Sequence, residues 1–150
     1  MEYIFKPFKG INEINFGMSQ RDVEVLEGET NNIKENSVYR EIIETRNGVL
    51  YIYRNNKLIE IKFNESFDFD KNSIIWNNIK VFNDLKTIEI LSNIPETKHS
   101  EIVRGVIVFH GIGACFSGFK KMKLIIEKEL IFYSIERMRF YEIRVDKNKL

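Results

Sequence analysis

The amino-acid sequence predicts an α+β fold made of two tandem repeats, in which a short helical segment precedes an antiparallel β-meander and the helices pack on one face of the sheet. The first observation is repetition: residues 16–28 return in degenerate form 65 positions later, as residues 81–93. The second is that runs rich in Ile, Val, Phe and Tyr follow both copies. Because the chain has 150 residues, we expect one compact domain, residues 1–150, with repeats at about 9–66 and 74–145.

Each copy carries the signals of a short helix. Ser19 and Asp84 can each accept a hydrogen bond from an unpaired N–H of the first helical turn. Gly28 and Asn93 tolerate the left-handed backbone that ends many helices. We therefore predict a first helix at about residues 20–27 and a second one that begins after Asp84.

A pair of hairpins is predicted after the first helix. Residues 38–45 could form a short helix or a strand, and the strand is preferred because Asn47-Gly48, a pair typical of a type I′ turn, follows directly. Residues 49–54 then form a strand of high β-propensity, and residues 58–63 return beside it.

The remaining segments are assigned to loops and strands. Polar connections are predicted at residues 29–36 and 93–104. Further strands are predicted at residues 74–76, 106–110, 114–116, 124–127, 130–135 and, as a charged edge strand, 138–145.

Alternation along the second hairpin predicts which side chains are buried, because strand neighbours point to opposite faces. The predicted buried face consists of Leu50, Ile52, Ile59, Ile61 and Phe63. The predicted other face consists of Tyr51, Tyr53, Glu60 and Lys62, joined by Val108 and His110 from the second half. Two interpretations stay open: this face is an exposed aromatic surface that binds a partner, or the C-terminal strands cover it.

The charge pattern gives no reason to expect wholesale binding to nucleic acid or to an anionic membrane, because the formal net charge is only +1. The first 75 residues carry a net charge of −3 and the remainder +4. Around residues 22–44, seven acids face three bases. This region is either a solvated surface or a binding surface for a basic partner. Its candidate contacts are Glu24, Glu27, Glu41 and Glu44.

Candidate chemical motifs are weak in this sequence. His99 and His110 have no Cys, Asp or Glu at the spacing of metal ligands. The Gly-Ile-Gly run at residues 111–113 lacks the third glycine and the following helix of a dinucleotide site. Cys115 lies in an apolar run, where a thiol usually packs as a small hydrophobe. We therefore expect a protein that is not an enzyme and holds no cofactor or metal. The N-terminal stretch has no signal-peptide pattern, so a soluble cytoplasmic protein is expected.

The helix entry at residues 9–23, Lys-Gly-Ile-Asn-Glu-Ile-Asn-Phe-Gly-Met-Ser-Gln-Arg-Asp-Val, resembles that of tandem-repeat bacterial immunity-type proteins. The repeats of these proteins are similar to those of the β-lactamase inhibitor protein. The hairpin at residues 48–63 and the second entry at residues 76–82 fit the same pattern. The resemblance covers roughly residues 9–116.

The resemblance implies a protein that binds and neutralises one cognate bacterial toxin by stoichiometric occlusion. The implied partner is a toxin domain, for example a basic nuclease, with no direct binding to nucleic acid or membrane. The alternative is a small-ligand or envelope-assembly binding module built from the same repeats. The binding surface differs among members of the group, so the resemblance transfers no site residue.

Overall fold

The computed structural model describes residues 2–64, 67–68, 71–81, 85–102, 106–118 and 128–141. In chain order, its strands are β1 (Glu2–Lys6), β2 (Gly10–Ile11), β3 (Ile14–Asn15), β4 (Asn32–Asn36), β5 (Glu41–Arg46), β6 (Val49–Arg54), β7 (Lys57–Phe63), β8 (Ser73–Trp76), β9 (Ile79–Val81), β10 (His99–Ile102), β11 (Val106–Phe109), β12 (Ala114–Ser117) and β13 (Glu129–Tyr133). The helices are α1 (Gln20–Glu27), α2 (Leu85–Ser92) and α3 (residues 135–141), and a 3-10 turn spans Pro95–Thr97.

The strands form two sheets. The larger has eight antiparallel strands in the order β10-β11-β12-β13-β7-β6-β5-β4, so that β13 and β7 join the two halves of the chain. The smaller has five strands in the order β3-β2-β1-β8-β9, in which β1 and β8 pair in parallel. The prediction of an α+β fold with mainly antiparallel sheets is therefore confirmed.

The capping signals of α1 give the predicted helix. The Ser19 hydroxyl accepts a hydrogen bond from the Asp22 N–H at 3.1 Å, and the Asp22 carboxylate accepts one from the Ser19 N–H at 3.1 Å. This reciprocal pair is a capping box with Asp in the place of the usual Glu. Gly28 then ends the helix with a φ of +86°, which costs glycine little and other residues more.

The second predicted helix is α2. Its predicted cap, Asp84, lies outside the described residues. Asn93 does not adopt the left-handed backbone expected of it. Its side-chain amide instead donates a hydrogen bond to the Glu89 carbonyl at 3.0 Å, so the helix end is closed by a side chain.

The predicted faces of the second hairpin are wrong because of a β-bulge. An unbroken ladder from the pair Arg54 and Lys57 would place Tyr51 opposite Glu60, on the face that was predicted for both residues. The pairing instead shifts between Ile52 and Tyr53, and Tyr51 lies opposite Ile61. The extra residue lies in β7, so Leu58 and Ile61 both face the main core with Tyr51 and Tyr53 although they are three positions apart.

Both faces of the eight-stranded sheet are covered by hydrophobic clusters. The main core includes Val23 of α1 and Leu91 of α2, together with Phe132 of β13. Ile131, the neighbour of Phe132 along the strand, belongs to a second cluster with Tyr141 of α3. Because alternate strand residues point to opposite faces, α1 and α2 contribute to one core and α3 covers the other face. The helices therefore lie on both faces of this sheet, and not on one face as predicted.

Three further segments differ from the predictions. β4 and β10 form where polar connections are predicted. In the part of the chain that the structure describes, β4 pairs only with β5, and as an edge strand its residues are exposed or half-buried. Residues 138–141 are helical where an edge strand is predicted. The helix begins after Ser134, whose hydroxyl accepts a hydrogen bond from the Arg137 N–H at 3.3 Å. The predicted strand at 124–127 lies outside the described residues.

Candidate functional site

The predicted aromatic and polar surface is not exposed. Tyr51, Tyr53 and Glu60 are all buried, because one face of their sheet is covered by the main core and the other by α3. Lys62 and His110 are half-buried. The alternative of a covered face is closer to the structure, although a C-terminal helix rather than strands supplies part of the cover. Tyr51, Tyr53 and Glu60 therefore cannot form the surface contacts expected of them.

The four predicted acidic contacts also do not form one patch. Glu41 and Glu44 are buried, and their positions three residues apart in β5 put them on opposite faces of the sheet. Glu24 lies at the surface and forms an ion pair with Arg21 at 3.3 Å. Glu27 is half-buried. Only Glu24 and Glu27 remain candidates for contact with a partner.

Glu44 is buried because Arg46 neutralises it. Two guanidinium nitrogens of Arg46 donate to the two Glu44 oxygens at 2.8 and 3.2 Å, a bidentate pair. The Arg46 Nε also donates to the Gly28 carbonyl at 2.9 Å, which ties the end of α1 to β5. Burial alone would lower the pKa of Arg46, but the hydrogen bond and charge of Glu44 outweigh it, and the net shift is upward. Arg46 therefore keeps its positive charge inside the protein.

A second buried network holds α3 against the sheet. The Arg137 Nη1 lies 2.6 Å from Glu41, and its Nε lies 3.6 Å from Glu60. The Tyr141 hydroxyl donates a hydrogen bond to Glu60, and the Tyr141 ring stacks on Tyr133. Burial, then the Glu60 charge, raises the pKa of Tyr141 well above its ordinary value. One arginine from α3 therefore contacts two carboxylates of the sheet.

The buried tyrosines predict a loss of stability at alkaline pH. Burial raises the pKa values of Tyr51, Tyr53 and Tyr141, so the folded protein holds these phenol protons more tightly than the unfolded chain does. Their contribution is complete below the unfolded tyrosine pKa of about 10 and is lost as the pH rises above it. We expect the free energy of unfolding, measured with urea between pH 8 and 11.5, to fall above pH 10.

The variant Tyr53→Phe isolates one of these groups. It should reduce the alkaline slope by up to about 1.4 kcal/mol per pH unit, because one buried phenol no longer has to keep its proton. Tyr39 is exposed, so Tyr39→Phe is the matched control. An identical slope in Tyr53→Phe and the wild-type protein above pH 10 would contradict the assignment.

The exposed apolar side chains of α1 and β4 form a different candidate surface. Val25 is 71% exposed, Leu26 43% and Ile33 56%. Ile33 lies opposite Glu44, and Glu44 is held by the arginine that bonds the end of α1, so Ile33 lies on the α1 side of the sheet. We call the exposed side chains of residues 20–36 the α1–β4 surface. Its apolar members are the kind of side chain that protein interfaces bury.

A small cleft lies beside this surface, at the last residue of α1. Its walls include Tyr3, Asn12, Glu27, Tyr51 and Phe63, and its volume is about 10 Å³. Burial raises the pKa of Glu27, Arg46 lowers it, and the nearby Glu13 carboxylate raises it further. The cleft therefore brings one predicted contact, Glu27, together with the buried ring of Tyr51.

The arginines that form ion pairs with the buried acids were not among the predicted site residues. A signal existed for Arg46, because residues two apart in a strand share a face and Glu44 stands two positions earlier. No local signal could reveal Arg137, which lies 96 positions from Glu41. Tyr3 and the exposed Val25 and Ile33 were also missed.

Comparison with known proteins gives no relative: no family model, curated protein or solved structure matches this chain. Among the described residues, no helix is both long enough and apolar enough to cross a membrane. Within the same residues, no group of three or more His, Cys, Asp or Glu side chains could hold a metal ion.

Proposed function

We propose that the protein is an immunity or inhibitor protein, which binds a cognate bacterial toxin one to one and blocks it by covering its active site or partner surface. The observation that carries the proposal is the α1–β4 surface, where Val25, Leu26 and Ile33 are exposed within an acidic segment. Apolar side chains rimmed by charge are typical of protein-binding surfaces. A standard interface of about 1,600 Å² would suffice.

The order of elements supports the repeat arrangement behind this proposal. α1 precedes the four adjacent strands β4 to β7, and α2 precedes the four adjacent strands β10 to β13. The two sets meet where β7 pairs with β13 in the centre of the sheet. This arrangement agrees with two tandem repeats of a helical segment and a meander, and hence with the resemblance to tandem-repeat immunity-type proteins. The inference from architecture to function is an analogy.

The charge of the surface indicates a basic partner. Residues 20–36 contain five carboxylates and two cationic side chains, a net charge of −3, and all seven are exposed or half-buried. Such a field accelerates the approach of a cationic partner, for example a nuclease toxin, and repels nucleic acid. The buried acids Glu41 and Glu44 take no part, so the acidic surface is smaller than the sequence alone indicates.

The edge of the sheet gives the partner a second means of attachment. Among the described strands, β4 pairs only with β5, and it ends the eight-stranded sheet. Its outer N–H and C=O groups can pair with an extended segment of another chain. The side chains of Lys34 and Glu35 are exposed, which gives this edge the charge that discourages indiscriminate pairing.

The test is complex formation with the product of the gene immediately upstream, because an immunity gene normally follows its toxin. We expect the two proteins to co-purify one to one and the complex to restore growth. The double variant Glu24→Lys with Glu29→Lys reverses a half-buried and an exposed charge on residues 20–36. Its association rate, measured at low salt, should fall about tenfold or more, and the difference should shrink at high salt.

The matched control reverses the same number of charges elsewhere. Glu89 of α2 and Glu136 of α3 are both exposed, so Glu89→Lys with Glu136→Lys gives an equal change in net charge. Equal association rates for the two double variants would place the contact away from the α1–β4 surface. Absence of a complex and of toxicity would favour the alternative of a ligand-binding module. The cleft beside Glu27 is far smaller than the roughly 300–1,000 Å³ of a typical ligand pocket.

A further inference from the structure

The cleft at the end of α1 contains an unneutralised acid. Glu27 lines it and is half-buried, and its carboxylate forms no hydrogen bond or ion pair with the described part of the chain. The nearest cation by electrostatic effect is Arg46, but both of its terminal nitrogens already bind Glu44. Charged groups that are partly removed from water are usually paired, so a half-buried carboxylate without a partner is energetically unfavourable. Unfavourable arrangements of this kind are concentrated at functional sites.

The helix makes the position of this acid still less favourable. Glu27 is the last residue of α1, and no basic residue occupies the last helical turn. The C-terminal end of a helix carries a partial negative charge, which repels a carboxylate and attracts a cation. The Glu13 carboxylate is also close enough to raise the pKa of Glu27. The local electrostatic field at the cleft therefore favours a positive group.

The walls of the cleft suit a cation in a second way. Tyr3 and Tyr51 both line it, and both interact electrostatically with Glu27. Tyr3 is held in place by edge contacts to Phe63 and Phe67, with ring centroids 6.2 and 5.3 Å away. Aromatic rings attract cations through their electron-rich faces, most strongly when water is excluded. The cleft therefore brings the Glu27 carboxylate together with two aromatic side chains, and one of them, Tyr51, already has the Arg46 guanidinium over its ring at 5.9 Å from the centroid. A carboxylate beside aromatic side chains is a combination that binds organic ammonium groups.

The size of the cleft selects among cations. Its volume of about 10 Å³ is close to the space that one water molecule needs. The ammonium group of lysine is compact and about the size of a water molecule, whereas the guanidinium of arginine is a larger planar group. Asn12, whose side chain is also in the wall, has a carboxamide oxygen that already accepts a hydrogen bond from the Ile4 N–H at 2.7 Å. Glu27 is thus the principal acceptor.

We infer that the cleft formed by Tyr3, Tyr51 and Glu27 is a recognition site for a primary ammonium group, supplied by a lysine side chain of the protein partner. This inference rests on the proposed function for the source of the ammonium group. The cleft adjoins the α1–β4 surface through Glu27, so a docked partner with a basic surface can extend one lysine into it. Lysine in place of arginine is the specificity that the volume imposes.

The ammonium site can be tested without the partner. The whole protein, labelled with ¹⁵N, is titrated with n-butylammonium chloride, and n-butylguanidinium chloride and sodium chloride serve as controls. We expect saturable shifts of the backbone amide signals of Asn12, Glu27 and Tyr51 with butylammonium, at a dissociation constant on the order of 1 mM. Neither control should saturate. Equal shifts with sodium chloride would overturn the inference.

Two variants assign the binding to the named side chains. Glu27→Gln keeps the shape of the side chain and removes its charge, and it should raise the dissociation constant for butylammonium at least about tenfold. Tyr3→Phe keeps the aromatic face and should bind like the wild-type protein, whereas Tyr3→Leu should bind several-fold more weakly. Wild-type binding by both Glu27→Gln and Tyr3→Leu would overturn the site. The tyrosine pair keeps the test valid if Glu27→Gln fails to fold.

The partner complex separates failure of this inference from failure of the proposed function. A wild-type complex with the upstream gene product, together with no saturable butylammonium binding, overturns the cleft and leaves the inhibitor proposal intact. Butylammonium binding together with equal affinity of Glu27→Gln and wild type for the partner overturns the lysine assignment. Weaker partner binding by Glu27→Gln, by about the factor lost with butylammonium, supports the full inference.

Discussion

Replacement of Arg137 by methionine is expected to destabilise the fold by about 3–5 kcal/mol, because it leaves two buried carboxylates without their shared cation. Arg137 contacts Glu41 at 2.6 Å and Glu60 at 3.6 Å, and the exposed fraction of its side chain is 8%. Methionine fills much of the same volume, so the effect is due to charge more than to a cavity. Small domains are stable by only about 5–15 kcal/mol, so the loss should be plain in urea denaturation.

Arg54 provides the matched control for this prediction. It pairs with the same carboxylate, Glu41, at 3.1 Å, but its side chain is 44% exposed. Exposed ion pairs contribute about 0–1 kcal/mol, so Arg54→Met should have a small effect. If the two variants lose equal stability, burial of the ion pair is not what fixes α3 on the sheet. If α3 of Arg137→Met loses its helical structure at a lower urea concentration than the rest of the protein, α3 is the element that the substitution releases.

Local signals account for the parts of the fold that the sequence predicted well. α1 has its predicted bounds because its capping box and Gly28 act within a few residues of each other. The Asn47-Gly48 turn has positive φ at both residues, as a type I′ turn requires, and β6 follows it with the predicted bounds. In each case the interacting residues lie within a few positions of each other, so the local sequence contains the whole signal.

The failures have a different physical cause. The bulge in β7 between Leu58 and Glu60 puts Ile61 on the same face as Tyr51, and nothing in the local sequence marks it. β4 exists because β5 offers it a free edge, although its own residues are mainly polar. The burial of Glu41 depends on an arginine 96 positions away. These features depend on long-range pairing, which composition and periodicity do not reveal.

The candidate site was predicted least well for the same reason. Of the nine predicted partner contacts, five acids and tyrosines are buried: Glu41, Glu44, Tyr51, Tyr53 and Glu60. A charged or aromatic residue in an alternating strand is exposed only if nothing packs on that face, and here both faces are covered. Glu24 and Glu27 stay candidates because they lie on α1, a short helix whose one fully buried residue is Val23.

Replacement of Arg46 by methionine is the second large effect we expect, again about 3–5 kcal/mol of lost stability. Arg46 and Glu44 have side chains that are only 2% and 4% exposed, and their bidentate contact has nitrogen–oxygen distances of 2.8 and 3.2 Å. The substitution leaves the Glu44 carboxyl group buried beside the Tyr53 hydroxyl without its arginine partner. It also removes the hydrogen bond that ties Gly28 to β5, so the end of α1 should loosen first.

The double variant Arg46→Met with Glu44→Leu tests the cause of this loss of stability. The cause is either the buried Glu44 without its arginine partner or the lost hydrogen bond from Arg46 to the Gly28 carbonyl. Replacing both members of a buried ion pair with apolar side chains of similar volume is often neutral or stabilising. We therefore expect urea denaturation to show that the double variant recovers most of the stability lost by Arg46→Met, with only about 1 kcal/mol still missing for the Gly28 hydrogen bond. If the single and double variants are equally unstable, the loss of stability comes from the missing hydrogen bond between Arg46 and Gly28 instead. The butylammonium titration of the double variant then reports on Glu27, whose carboxylate would have lost its nearest cation and should bind the ammonium group more tightly.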